Sequence, residues 1–291
     1  MADFNDYLPV AVITGPTATG KTALAVKLAE RFNGEIVSID SRQVYRKMDI
    51  GTGKDLGEYG NIPYHLIDIA DPAKEVYNLK RFCVDAFRAI EDITSRGKLP
   101  VLCGGTALYL TALLDGYTLP GDELAPREKN RAREHQTGTN PSFVPPFKLK
   151  PLIMGVLYPR ETVRKRIEIR LDERLKNGML DEISDLQHNC GVSREQLEFF
   201  GLEYREVSLY LNGECSYDEM RTSLLNKIRQ FAKRQDIFFR KIEREGHQIY
   251  WLKEGKEPDP FKLLDDFLND RPLPPVTFRL CDHKNPRTVK K

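Results

Sequence analysis

Residues 8 to 22, Leu-Pro-Val-Ala-Val-Ile-Thr-Gly-Pro-Thr-Ala-Thr-Gly-Lys-Thr, constrain this chain more than any other stretch. The β-rich apolar run Val10 to Ile13 feeds Gly15, Pro16, Thr17, Ala18, Thr19, Gly20, Lys21 and Thr22, and a helical pattern then opens with Ala23, Leu24, Ala25 and Leu28. Strand, glycine-bounded loop, Lys-Thr and helix is the order that cradles a phosphate. The glycines let backbone N–H groups turn inward around an anion, and the helix start adds its positive end. Lys21 supplies a point charge, and the Thr22 hydroxyl is placed to ligate Mg²⁺. The motif predicts a phosphate-binding loop at 15–22 without saying which reaction follows.

The next segments repeat the strand–helix alternation. A helix is expected to about Phe32, broken by Gly34, and then a buried strand Glu35 to Ile39 that ends at Asp40-Ser41-Arg42-Gln43-Val44-Tyr45. Ligands of open α/β sheets sit beyond the carboxyl ends of strands, so Asp40 stands where a functional carboxylate is expected. Asp is also a favoured helix cap, which is the competing reading. The Gly-punctuated loop 48–54 leads to Tyr64-His65, where His65 is expected to pack or cap. An amphipathic helix over 78–96, a strand Leu99 to Cys103, the turn Gly104-Gly105-Thr106 and a helix 108–114 follow. This spacing predicts a parallel sheet with right-handed crossovers.

Residues 117–150 change character, with five prolines beside the basic cluster Arg127, Lys129, Arg131 and Arg133. They read as an irregular insertion with at most a short helix near 124–136: a lid, an RNA-contacting arm, or a solvated loop. A buried strand returns over 150–158, and Pro159 opens a helix to Lys176. On that helix Arg166 and Arg170 share a face. They are placed either to close over a polyphosphate or to pair with neighbouring carboxylates at i, i+4 spacing.

Helices are expected at 179–188, 193–199, 203–211 and 217–243, the last with a core stripe of Met220, Leu224, Leu225, Ile228, Phe231 and Ala232. Arg229, Lys233 and Arg240 fall on another face, beside Gln230, Arg234 and Gln235. That face is either simply solvated or a phosphate- or base-contacting surface. A last strand at 248–252 and a helix at 260–268 precede the Pro-rich, basic tail 272–291, expected to be disordered or an auxiliary nucleic-acid contact.

Composition narrows the partners. No apolar run approaches a membrane span, and the acidic start is unlike a signal, so a cytoplasmic chain with no membrane contact is expected. The five cysteines form no C-x-x-C pair, against a zinc site or disulfide framework. A net charge of +2 means that any nucleic-acid surface must come from uneven charge distribution.

Taken together, Gly15 to Thr22, Asp40 to Tyr45, Met48 to Lys54, His65 to Pro72, Gly104 to Tyr109, Asn177 to Glu182, Gly201 to Glu206 and Ile228 to Gln235 with Phe239-Arg240 resemble the tRNA dimethylallyltransferase family, in order over about 8–252. The resemblance implies an α/β fold: a P-loop NTPase-like parallel sheet flanked by helices, with a helical insertion and a helical C-terminal part. The divisions expected are 1–116 for the first part of the core and 117–150 for a shortened insertion or lid. The rest of the core with a helical tRNA-binding part would take 151–255, and a terminal helix with basic tail 256–291.

The resemblance further implies a monomeric, Mg²⁺-dependent prenyltransferase that moves a dimethylallyl group from dimethylallyl diphosphate to N6 of the adenosine next to the anticodon of tRNA. Asp40 corresponds to the general base and Thr106 to the residue on the bridging oxygen of the leaving diphosphate, while Arg234 lies near the reaction channel. The loop Gly15 to Thr22, with Arg166 and Arg170, would hold the diphosphate. Asp40, Ser41, Arg42, Gln43, Arg127, Gly201, Tyr204, Arg205, Arg229 and Lys233 would hold the tRNA. The chain departs from the family in lacking an Arg-rich segment before the strand at 152–157 and in carrying Asp236-Ile237-Phe238 where tryptophan is usual. The competing readings are transfer to a free adenine nucleotide and a P-loop small-molecule kinase.

Overall fold

Strands β1 (Tyr7–Thr14), β2 (Gly34–Ser38), β3 (Tyr64–His65), β4 (Leu99–Cys103), β5 (Tyr117–Thr118), β6 (Ser142–Phe143), β7 (Lys148–Leu157) and β8 (Ile249–Lys253) build two sheets. They are drawn from a computed structural model that describes residues 7–118 and 142–283. Six of the strands form one sheet in the order β3-β2-β4-β1-β7-β8, and every pairing in it is parallel. The central strands are buried almost without alternation, as a parallel sheet covered on both faces requires. β7 starts two residues earlier than the sequence suggests and pairs with the whole length of β1, from Tyr7↔Lys148 to Thr14↔Gly155.

Helices cover both faces. The first are α1 (Lys21–Arg31), α2 (Leu79–Ser95), α3 (Ala107–Asp115), α4 (Arg160–Lys176) and α5 (Met179–His188). They are followed by α6 (Arg194–Phe200), α7 (Leu202–Leu211), α8 (Tyr217–Arg244) and α9 (Pro260–Leu268). Leu24 and Leu28 of α1 and Leu263, Leu264 and Phe267 of α9 share one core with Ala11, Ile13 and Val101. On the other face α2 and α3 join a larger core that extends through α4 to α8. Each such side chain removed from water contributes about 1.5–3 kcal/mol. β5 and β6 pair antiparallel where the 117–150 segment leaves and rejoins the body. The short helix expected near 124–136 and the cluster Arg127, Lys129, Arg131 and Arg133 lie outside the described residues.

Two local expectations, Phe231 and the tail, are corrected, and that for His65 holds. Phe231 is 42% exposed instead of in the core stripe of α8, because the buried face of that helix turns towards Gln235 and Phe239 beyond Ala232. His65 packs, its Nε2 lying 2.8 Å from the buried Glu35 carboxylate. The tail is ordered through His283. Leu280 is fully buried, and the Leu280 and Cys281 N–H groups donate to the Glu243 carboxylate at 3.0 and 2.8 Å. Trp251 Nε1 donates to the same carboxylate at 2.7 Å, so Glu243 ties β8 and the tail to α8. Among the described residues no helix is long and apolar enough to cross a membrane.

Candidate functional site

The ends of β1, β4 and β2 lie side by side, because β4 runs between the other two. Each strand hands its chain to one part of the site: the 15–20 loop after β1, Gly104-Gly105-Thr106 after β4, and Ile39-Asp40-Ser41 after β2. Inside the loop the Pro16 carbonyl accepts hydrogen bonds from Thr19 Oγ1 at 2.8 Å and Lys21 Nζ at 2.7 Å. Lys21 and Thr22 begin α1 behind Gly20, which holds the left-handed conformation at φ 76°. The N–H groups and positive helix end therefore face one concavity.

That concavity is a cavity of about 640 Å³ between Ala18–Thr22 and one face of α4, closed at the side by the 49–58 loop. Arg166, Arg170 and Arg174 of α4 line it. The structure thus brings the two arginines expected from the sequence to the phosphate loop, and adds a third. The Arg166 guanidinium lies 3.9 Å from the Tyr158 ring centroid. Arg170 ion-pairs with Asp55 and donates to the Gly53 carbonyl at 3.3 Å. Lys54 beneath them is fully buried and joins Asp49, Asp68 and the Tyr45 carbonyl, which fixes the loop without adding free charge to the cavity.

Asp40 and Thr106 lie beyond that cavity, at the neighbouring strand ends. Asp40 Oδ1 accepts the Arg42 N–H at 2.9 Å, so the residue does cap its own turn. The Ser41 N–H donates to Thr106 Oγ1 at 3.3 Å, which ties the two strand ends together. Burial pushes the Cys103 thiol up to about 12, with the Lys21 charge opposing and the Asp40 charge adding. The last residue of β4 therefore senses both the phosphate-loop ammonium and the strand-end carboxylate. Burial also raises the Tyr59 and Tyr109 hydroxyls, and the Asp40 charge contributes to both.

A residue that the sequence singled out only as part of the Lys-Arg-Gln run joins these parts. Gln235 of α8 is 6% exposed; its Oε1 accepts the Thr17 N–H at 2.9 Å and its Nε2 donates to the Gly105 carbonyl at 3.0 Å. A Cβ on Gly105 would stand 2.6 Å from that Nε2, so only glycine lets the amide reach. The signal available in sequence was the Lys-Arg-Gln run itself, which points to a special role but not to its target.

The stretches expected to hold RNA divide. Arg42 stacks over Phe199 at 5.2 Å and runs past Gly201, whose added Cβ would be 3.7 Å from Arg42 Nε. The 41–43 and 201–205 segments are thus adjacent, and Arg205 and Lys233 are exposed. Three of these residues have partners within the protein. Tyr204 is 1% exposed and donates to Glu182 at 2.9 Å, a carboxylate that also accepts the N–H groups of Asp49, Ile50 and Gly51. It supports the surface from below. Arg229 donates to Glu168 of α4 at 2.8 Å and so holds two helices together. The Gln43 amide is engaged inward, to Ser38 and to the Gly53 carbonyl. Arg234 is half-buried, 6.0 Å over the Phe231 ring. Arg127 lies outside the described residues.

The parallel sheet, the β1 loop and the cationic helix facing it define a P-loop-type α/β protein. The family description "IPP transferase" matches residues 43–142 and 127–242, and "isopentenyl transferase" matches 8–59. tRNA dimethylallyltransferase 1 of Geotalea uraniireducens (strain Rf4) is 45% identical over 300 aligned positions, covering 90% of this chain and 98% of that protein. tRNA dimethylallyltransferase 2 of Trichlorobacter lovleyi is 44% identical, covering 84% and 92%. The solved tRNA delta(2)-isopentenylpyrophosphate transferase of Staphylococcus epidermidis superposes with a TM-score of 0.71 at 27% identity, over 90% of this chain and 98% of that one. A eukaryotic dimethylallyltransferase acting on tRNA superposes at 0.75 and 25% identity, over 92% and 81%. This chain belongs to the tRNA dimethylallyltransferase, or IPP transferase, family.

Proposed function

We propose that this protein transfers a dimethylallyl group from dimethylallyl diphosphate to N6 of the adenosine next to the anticodon of tRNA. The observation that carries this reading is the junction of the β1, β2 and β4 ends. A diphosphate held by the 15–22 loop has a carboxylate, Asp40, and a hydroxyl, Thr106, at the adjoining strand ends. The names of the relatives supply the donor and acceptor classes.

In this reaction the bond from the allylic carbon to the diphosphate oxygen breaks and a bond from that carbon to N6 forms. The N6 proton passes to Asp40, and diphosphate leaves. Lys21, the loop N–H groups, Arg166 and Arg170 take up the charge that develops on the leaving group. Thr106 orients its bridging oxygen. An exocyclic amine is a poor nucleophile, so a positioned proton acceptor is needed.

Among the described residues there is no group of three or more His, Cys, Asp or Glu side chains that could hold a metal. This suits Mg²⁺, which prefers one or two protein ligands with substrate phosphates to an all-protein cage. Thr22, the second residue of α1, lines the cavity beside Lys21, where its hydroxyl could serve as one such ligand. Mg²⁺ held by Thr22 and the donor's own oxygens would add to the neutralisation of the diphosphate. On the acceptor side, Arg42, Gly201, Arg205 and Lys233 form the surface that the RNA would meet, and the flipped adenine costs a few kcal/mol to unstack.

The test incubates the protein and labelled dimethylallyl diphosphate with bulk tRNA, AMP or ATP in separate reactions. Label in tRNA is expected, and label in AMP or ATP alone would replace this reading with a nucleotide transferase. Lys21→Ala is expected to abolish donor binding while the chain stays folded; normal donor binding by that variant would refute a phosphate-binding role for the loop.

A further inference from the structure

Arg166, Arg170 and Arg174 recur every four residues on α4 and so present one face to the cavity. Their partners within the protein differ. Arg166 stacks on Tyr158, and Arg170 is ion-paired with Asp55. Arg174 has a side chain only 15% exposed, yet its nearest carboxylate, on Glu203, lies 3.9 Å away, at the outer limit of an ion pair. Its Nε has no hydrogen-bond partner among the described residues. A guanidinium carries five donors, and a largely buried one with no counter-charge at close hydrogen-bonding distance is costly to maintain.

The backbone also makes room for this side chain. A Cβ on Gly53 would stand 1.5 Å from an Arg174 Nη and 2.6 Å from an Arg170 Nη. Gly53 itself holds φ +63°, so glycine is required there twice over. Burial drives the Arg174 guanidinium down, with the Arg170 charge adding to it, and burial drives the Glu203 carboxyl up. Both shifts mark a pair that does not compensate itself. If the pair existed only to pin α4 to α7, short bidentate geometry would be expected.

We infer that Arg174 completes a three-arginine wall opposite Lys21, and that its partner is the diphosphate anion taken into the cavity. The inference rests on the reading of this cavity as the donor's diphosphate site and deepens it: binding a planar fork of donors commits the site to an anion with several adjacent oxygens. An anion at this position turns a poorly satisfied buried charge into a charge-assisted hydrogen-bonding one. Arg174 is therefore a binding residue that the loop motif does not announce.

The test titrates the full chain, with Mg²⁺ present, with inorganic pyrophosphate by calorimetry, beside thermal unfolding without ligand. Arg174→Met is expected to weaken pyrophosphate binding about tenfold or more, the usual worth of a charge-assisted hydrogen bond. Arg174→Lys should lose less, because charge is kept while the fork is lost. The ligand-free Tm of Arg174→Met should be unchanged or higher, since a strained buried charge has gone. Pyrophosphate binding at wild-type strength in Arg174→Met overturns the inference, whatever its Tm. Should Arg174→Met not fold, Arg174→Met/Glu203→Gln removes both charges and is read in the same way. Dependence of wild-type binding on Lys21 but not on Arg174 defeats this inference alone. Pyrophosphate binding insensitive to Lys21, or absent from the wild type, defeats the donor-site reading along with it.

Discussion

The phosphate end of the site and its acceptor end are built on opposite principles. At the phosphate end, loop N–H groups, Lys21 and the α4 arginines face inward, and the buried Lys54 and half-buried Glu182 hold the surrounding loops. At the acceptor end, Arg42, Arg205 and Lys233 stand at the surface with few fixed partners. Diphosphate is small, rigid and highly charged, so a preorganised inward site suits it. An RNA backbone is long and repetitive, so exposed cations that release counterions suit it better. Gln235 joins the phosphate loop to the β4 end, through Thr17 and Gly105.

That contrast can be broken at several points. The largest effect is expected at Asp40, between the two ends. Asp40→Asn keeps the turn bond to the Arg42 N–H but loses the proton acceptor, so single-turnover transfer should fall about 10²- to 10⁴-fold with donor binding and Tm unchanged. A wild-type rate in this variant would leave Asp40 as a cap only. Gln235→Ala comes next. It leaves a loop N–H and the Gly105 carbonyl without their partner and lets the ends drift apart; a shift of about 1 Å in a reacting geometry costs up to about 10²-fold. Loss of rate together with a lower Tm is expected, and a silent variant would show that the ends are positioned without it.

Smaller effects separate the cations of α8. Lys233→Ala should weaken tRNA binding and reduce its log–log salt slope by about 0.7 to 0.9, the share of one phosphate contact. A slope equal to wild type would remove Lys233 from the RNA surface. Arg229→Ala should leave that slope alone and lower stability by no more than about 1 kcal/mol, as a partly exposed ion pair does. A changed slope in Arg229→Ala would return this residue to the acceptor end and blur the distinction.

The phosphate loop, the strand-end positions of Asp40 and Thr106 and the helical C-terminal part were legible because each depends on local order: periodicity, a glycine spacing, a strand followed by a turn. Which side chains of a helix reach the site was not legible. Arg229 and Arg170 look equivalent as arginines on amphipathic helices, yet one is claimed by Glu168 and the other faces the cavity. Tyr204 lies within a motif read as RNA-holding and is buried beneath it, because α7 turns that side chain towards Glu182. The order of the tail was hidden for a similar reason. Its composition is that of a disordered segment, but Glu243, far back in sequence, supplies the acceptor for its N–H groups.

The sequence by itself determined that this chain builds a parallel α/β sheet with a phosphate loop after its first strand, since those features are set by residues within one or two turns of each other. Tertiary structure alone decided that Arg174 joins the cavity, that Gln235 couples the loop to the β4 end, and that Phe231 is left outside the core. Each of those outcomes depends on which partner stands across a packed interface, and partners 100 residues or more apart, such as Thr17 and Gln235, are specified by the fold as a whole.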